Sequence, residues 1–479
     1  MLREDEHAYR ERMEAFVSDL TGTTMAELVL VSIPIPMGIW LLGEIKAQLG
    51  GRKKALPMKS WQFFVLELVA VLLPALACMV WPQLTVTLIL SMAVTSFCCR
   101  LQRRPRFKAS SGRAAGQEWM IDSVTNIRAS IMLMTCITIL AVDFQASDIN
   151  GLRVFPRRFA KTEVFGTGLM DLGVGTTIFA SGLASGCRTK RRSGHTKRSC
   201  NVGRAALADM TSAAIRGWPL AALGVSRLVV IKGLGYQEHV SEYGVHWNFF
   251  ATLFFIRLVV APVNRLCPVR LRSCLALAAL GVYQWFLVKG GLSDFIVHAP
   301  RDTLFAMNRE GVLGLAGFVA IYYIAEDFGS QIQVHRQKLD KGRIHPRFLS
   351  SSLAVAARAN IILWTLTLFC EACIQQTSRR MVNLTYVLWV CAHSMLMLGL
   401  LMAIDSLSLK RPISQILAAI NLNMFPVFMA ANLATGAINI SMRTLDADTP
   451  TAVVILATYV TIVAGFAVIL SNIGLTIKV

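Results

Sequence analysis

The chain has 479 residues, of which 54% are hydrophobic and only 16% charged, and its mean hydropathy is positive. That balance excludes an ordinary soluble domain of this size and fits a polytopic membrane protein. A net charge of +20 would suit a nucleic-acid binder if it formed one basic domain. Here Lys and Arg fall in short runs between apolar segments, so membrane topology explains the excess and no nucleic-acid partner is expected.

The opening segment is highly charged and lacks an apolar core, so no cleavable signal peptide is expected. Beyond it, runs of about 20 mainly apolar residues predict an all-α protein with about 13 transmembrane helices. They are Met25–Lys46, Trp61–Val80, Gln83–Cys99, Ile127–Asp143, Phe165–Cys187, Leu207–Ile231 and Val245–Val263. Ser273–Val288, Gly311–Gly329, Leu353–Cys373, Val382–Asp405, Ile413–Met442 and Thr451–Asn472 follow. Only Trp81 and Pro82 separate the second and third spans, so the chain turns tightly there. The twelfth is long and carries Pro426 with Asn421, Asn423, Asn432 and Asn439, which predicts a kink or break. No linker divides the chain: residues 1–24 read as a non-cytosolic segment and 25–479 as one multispan domain.

Loop charge sets an orientation. The loops after the odd-numbered spans hold roughly twice as many Lys and Arg as those on the opposite side. The main clusters are Gly51–Lys54, Arg100–Lys108, Arg188–Arg198 and Arg336–Arg347, and these loops are expected to be cytosolic. The N-terminus then lies on the far side and the C-terminus in the cytosol.

The opposite loops carry mixed functional groups. The loop after span four holds Asp143, Arg157, Arg158, Lys161 and Glu163; the loop after span six holds Glu238, His239, Glu242 and His246. The later loops add Asp294, His298, Arg301, Asn308, Arg309, Glu310, Arg379 and Arg380. On one face, such groups can build an acid–base site with arginines for an anion. Spacing alone leaves Asp143 and Lys161 open between that and a buried ion pair that staples two helices. Likewise Arg157 and Arg158 read as anchors or ligands, and Asp171 among its glycines as close packing or an intramembrane functional carboxylate. No metal site is expected. Cys370 and Cys373 lack companion ligands, and HVSEYGVH lacks the helical i, i+4 pair. The sequons at Asn383 and Asn439 sit at or in apolar segments, where glycosylation is sterically unfavourable. Spacing thus reaches a lipid-modifying transferase or, alternatively, a multispan transporter or flippase of an anionic lipid or solute.

Several motifs narrow this. LAVDF, followed by FPRRFAKTEVFGTGLMDLGVG, spans Leu140 to Gly175, and GYQEHVSEYGVHWNFF covers Gly235–Phe250. EAFVSDLTGTT (Glu14–Thr24), NREG (Asn308–Gly311), SRRMVNL (Ser378–Leu384) and NLATGAINISM (Asn432–Met442) stand in matching order. Nearly end to end, the chain resembles the glycosylphosphatidylinositol inositol acyltransferases, the PIG-W family. The resemblance implies an endoplasmic reticulum protein that transfers a fatty acyl chain, such as palmitoyl, from acyl-CoA to the inositol of glucosaminyl-phosphatidylinositol. Acyl-CoA would then be a co-substrate, and no cofactor is expected. The resemblance also implies that Asp143 and Lys161 are the catalytic pair.

An inositol hydroxyl is a poor nucleophile at neutral pH, so a positioned base such as Asp143 would help it attack a thioester. Lys161 would orient Asp143 or stabilise the oxyanion. Arg157, Arg158, Arg309 or Arg380 suit phosphate, and Glu238, His239, Glu242, His246 and Asn308 suit the sugar and inositol hydroxyls. One departure stands out: Gln145–Val154 is inserted between the VDF and FPRRFAK elements, so spacing does not guarantee an Asp143–Lys161 pair. A surface bulge would leave both ends in place at little entropic cost. Asp148 is a weaker carboxylate candidate within the insertion.

Overall fold

A computed structural model describes residues 9, 11–13, 20–51, 60–102, 115–144, 154–188, 202–234, 240–340, 348–407 and 414–477. Among these the chain is helical throughout, as expected, with a single isolated bridge between Gly22 and Thr167 and no strand. The long helices are α1 (Met25–Ser32), α2 (Pro34–Gly51), α3 (Ser60–Glu67), α4 (Leu73–Val80), α5 (Thr85–Leu101), α6 (Ala115–Ala141), α7 (Leu169–Arg188) and α8 (Val202–Leu234). They continue as α9 (Phe249–Leu266), α10 (Val269–Lys289), α11 (Arg309–Asp340), α12 (Phe348–Cys373), α13 (Leu384–Leu407), α14 (Gln415–Leu422), α15 (Met424–Ser441) and α16 (Thr449–Asn472).

Among the described residues, eleven segments are long and apolar enough to cross a bilayer. α7 and α8 also run between the two ends of the bundle, beside the eleven against about 13 expected. α7 starts beside Arg379 and ends near Glu326. α8 meets Arg265 through Asp209 at one end and Asn248 through Gly224 at the other.

Three spans are interrupted, and only the interruption of the twelfth was expected from the sequence. The first breaks at Ile33, before Pro34, which has no N–H to continue the ladder. The second passes through a π-turn at Leu68–Leu72, over which Gly38 packs so closely that a Cβ would collide with the Ala70 carbonyl. The twelfth is broken at Asn423, between α14 and α15.

In lipid, close backbone approach replaces the hydrophobic effect as the glue between helices. Gly182 and Gly186 of α7 face the carbonyls of Tyr322 and Glu326, and Gly329 of α11 faces the carbonyl of Leu183. α13 runs through the centre with Tyr386, Trp389, Cys391 and Leu398 fully buried. α5, α8, α9, α10 and α12 turn Leu, Val, Ile and Phe outward, as lipid-facing helices do.

At the end that carries Asp143, loops far apart in sequence are tied together by backbone. Thr23 N–H donates to Thr167 O (2.7 Å), Gly166 N–H to Thr377 O (2.8 Å) and Val245 N–H to Met307 O (2.9 Å). Gly166 sits at φ +122°, and a Cβ there would strike the Thr21 carbonyl, so only glycine fits. The polar loops expected on one face are therefore one assembled surface.

Candidate active site

Asp143 lies two residues beyond the end of α6. Its Oδ2 accepts one hydrogen bond, 2.8 Å from Asn439 Nδ2 on α15. Burial pushes its carboxyl up to about 6, against the opposing pulls of the Asn439 amide and the Lys161 charge. It is thus a half-buried carboxylate with little support, poised to take a proton near neutral pH.

Lys161 approaches from the loop that follows the short Arg157–Phe159 turn. Its ammonium pairs with Glu242 Oε1 rather than directly with Asp143, which feels it as a neighbouring charge. Lys161 thus docks onto the loop after α8. Glu242 also receives Arg379 Nη2 at 3.4 Å. Arg379 in turn lies 3.8 Å from Asp171 and over the ring of Tyr243, 5.1 Å from its centroid. Burial alone would lower the Arg379 guanidinium. Glu242, Tyr243 and Asp171 outweigh that and hold it above its ordinary value.

Asp171 is fully buried in the first turn of α7. Its Oδ2 accepts from Gly168 N (2.9 Å), Thr162 Oγ1 (3.0 Å) and Thr162 N (3.2 Å). Its role is to fold the loop that carries Lys161, and the glycines around it allow that close packing.

A second cluster surrounds Glu310, which is fully buried at the start of α11. Arg301 reaches it at 2.5 Å, Arg380 at 3.1 Å and Arg309 at 3.9 Å. Three guanidinium groups around one carboxylate leave net positive charge at this end. Arg309 is spoken for otherwise, because it donates to the carbonyls of Ile296 (2.8 Å), Ala299 (2.7 Å) and Pro300 (3.2 Å). Arg301 and Arg380 also donate to carbonyls, of Met307 (3.1 Å) and Ile296 (3.3 Å), but their side chains keep more exposure than that of Arg309.

The remaining predicted residues divide clearly. Arg157 is half-buried in its turn. Arg158 is exposed and held by Glu27 at 2.8 Å, so it acts as an anchor. Asn308 is buried and positions His246 by accepting its backbone N–H at 2.8 Å, which leaves the His246 side chain exposed. Glu238, His239 and Asp148 lie outside the described residues. Among the described residues no group of His, Cys, Asp and Glu could hold a metal. Neither sequon asparagine is free: Asn383 is fully buried in hydrogen bonds to Gln375 and Gln376, and Asn439 serves Asp143.

Sequence reasoning missed Asn439 as a partner of Asp143 and passed over Arg379 in favour of Arg380. Asn439 was visible as one of several amides in an apolar span, but only the bend of α15 shows which amide faces the carboxylate. Val382 was not legible either. It holds φ +50°, a strained setting for a β-branched residue, at the turn that aims Arg379 and Arg380 before α13 begins.

Fold and site together define an all-helical polytopic membrane protein with a buried acid–base cluster at one end of its bundle. A model of the GWT1 family matches residues 9–470. The chain is 34% identical to GPI-anchored wall transfer protein 1 of Gibberella zeae, with 99% of each chain covered. It is 30% identical to phosphatidylinositol-glycan biosynthesis class W protein of Dictyostelium discoideum, over 98% of this chain and 99% of that one. The chain therefore belongs to the GWT1 family.

Proposed function

We propose that this protein is an inositol acyltransferase of glycosylphosphatidylinositol-anchor biosynthesis. It takes a fatty acyl chain, palmitoyl in the simplest case, from acyl-CoA and places it on the inositol of glucosaminyl-phosphatidylinositol. Family membership and the relatives' names in phosphatidylinositol-glycan biosynthesis support the pathway. The observation that carries the chemistry is Asp143, a half-buried carboxylate raised to about 6, held by one amide and facing the charge of Lys161.

In this reading Asp143 accepts the proton of the inositol hydroxyl as its oxygen attacks the thioester carbonyl carbon. The carbonyl oxygen becomes an oxyanion beside the positive charge of Lys161. Collapse breaks the carbon–sulfur bond, and the departing thiolate takes the proton from Asp143, which restores the base. Arg301 and Arg380 supply positive charge for the acceptor's phosphodiester. The residue roles Asp143 base and Lys161 oxyanion partner belong to this proposal, as does an endoplasmic reticulum location with the Asp143 end and N-terminus lumenal and the C-terminus cytosolic.

The test is direct. Membranes holding the chain, labelled palmitoyl-CoA and glucosaminyl-phosphatidylinositol should yield acylated inositol lipid. A folded preparation that transfers nothing overturns the reading.

A further inference from the structure

α8 runs between the two ends of the bundle without being apolar. It carries Arg204, Asp209, Arg216 and Arg227 and is not among the eleven apolar segments. It meets the two ends of α9 at Asp209, which pairs with Arg265, and at Gly224, whose carbonyl accepts from Asn248. Those two contacts are 15 residues apart, about 22 Å of helix. Arg216 stands midway between them and is exposed. Its Nε and Nη2 donate to the Ser212 hydroxyl, at 3.1 and 2.6 Å. Among the described residues it has no other hydrogen-bond partner and enters no ion pair. Asp209 feels its charge, but both Asp209 oxygens are taken by Arg265, at 2.7 and 3.1 Å. Arg272, near the same end of the bundle, shows what a satisfied arginine looks like. It pairs with Glu326 at 3.1 Å and donates to the carbonyls of Cys267 (3.0 Å) and Asn264 (2.8 Å). A hydroxyl gives Arg216 an acceptor but leaves its charge uncancelled, which is costly on a face turned to lipid.

The surroundings add to this. Arg216 lines a groove of about 530 Å³ on the outer face of α8. Leu207, Ala208 and Ile215 give the groove apolar walls, and Arg204 stands at its outer end. Deeper along the same face, Trp218 and Val225 are exposed. Between them α8 and α9 hold five arginines against one carboxylate, Asp209, so this wing of the protein is positive. Arg216 also folds back along its own helix. Its guanidinium stands at the level of Ser212, about 5 Å inside the Asp209–Arg265 pair. Long cationic side chains bend in this way toward the headgroup layer of a bilayer.

We propose that the outer face of α8 binds one anionic phospholipid, from the leaflet away from Asp143. Its phosphate meets the Arg216 guanidinium and the Ser212 hydroxyl, whose own proton is free to donate. Its headgroup faces Arg204, and its chains run along Ile215, Trp218 and Val225. Depth and direction select a lipid phosphate over a carboxylate on a partner helix. A partner's carboxylate would be met by a side chain extended at its own depth, whereas Arg216 turns toward the layer where phosphates lie. The excess of arginine selects an anionic headgroup, because choline or ethanolamine would bring a second cation to Arg204.

The experiment uses the full chain purified in detergent and titrated with phosphatidylserine or phosphatidylcholine, with bound lipid counted by native mass spectrometry. The unaltered protein should retain one phosphatidylserine more tightly than phosphatidylcholine. Arg216→Gln should weaken that retention by about tenfold or more, the effect of losing a charge-assisted contact. Arg216→Lys keeps the charge and should lose less. Arg158→Gln, which removes an exposed arginine at the other end, should bind as the unaltered protein does. Melting temperature separates binding from folding. Without added lipid, Arg216→Gln should melt with the unaltered protein, and phosphatidylserine should raise the melting temperature of the unaltered protein alone. Equal retention by the unaltered protein and Arg216→Gln overturns the proposal, as does a bound lipid with no headgroup preference. A second copy of the chain, or another membrane protein, that is bound to the unaltered protein and lost in Arg216→Gln assigns the face to a helix partner and also overturns it.

Discussion

Asp143 and Asp171 lie at the same end of the bundle and differ in how many donors each receives. Asp171 receives three hydrogen bonds from Thr162 and Gly168 and has Arg379 at 3.8 Å. Asp143 receives one, from Asn439, and the nearest cation is engaged elsewhere with Glu242. Three donors converge on Asp171 Oδ2 and the Arg379 guanidinium faces Oδ1, so this carboxylate joins its loop to its helix. A carboxylate left short of donors holds its negative charge at a cost and is ready to accept a proton. Cation and base therefore sit in one site without neutralising each other, since Glu242 takes up Lys161.

Substitutions can break or sharpen this contrast. The largest effect is expected from Asp143→Asn, which should lower acyl transfer by about 10²–10⁴-fold, the usual contribution of a general base. Its stability should not suffer. Above about pH 6 the ionised Asp143 costs folding free energy that an amide does not. The melting temperature of the variant should equal or exceed that of the unaltered protein at pH 7.5. Because a raised carboxyl binds its proton more tightly in the folded state, any such advantage should shrink as the pH falls from about 6 toward 4. A large drop in melting temperature would make Asp143 a second joint and erase the contrast.

Asp171→Ala should behave in the reverse manner. It strands Arg379 and the Thr162 and Gly168 donors, at a cost of about 3–5 kcal/mol, so folded protein and activity should fall together. Full accumulation with selective loss of turnover would move Asp171 into the chemistry. Next in size is Asn439→Ala. With Asp143 as the proposed base, the rate should fall below about pH 6 in the unaltered protein. Without the amide that favours the anion, the acid limb should move up by about one pH unit. An unmoved limb would show that another group limits the rate. The smallest effect is expected from Arg158→Ala, which removes an exposed pair with Glu27 and should cost at most about 1 kcal/mol with activity retained.

Much of this was legible in advance. Apolar run length gave the crossings, because a bilayer imposes one span length on every helix. The Trp81–Pro82 turn and the asparagines around Pro426 marked breaks, whereas the break before Pro34 was not expected. Loop composition placed the polar groups on one face. What spacing left open was the use of each group. Arg309, Asn308 and Arg158 looked like ligands for substrate, yet they serve carbonyls, a neighbouring backbone N–H and Glu27. Asp143 and Lys161 looked like a pair, yet each found another partner.

By itself, then, the sequence determined that this is a many-span helical membrane protein with its acids, bases and arginines gathered at one end. Those properties follow from hydropathy and charge, which are local and need no partner. Which carboxylate is satisfied and which is left reactive was decided only by tertiary structure. Hydrogen bonding and ion pairing are pairwise properties, and Asn439 for Asp143, Arg379 for Asp171 and Arg380 for Glu310 come from far away in the chain.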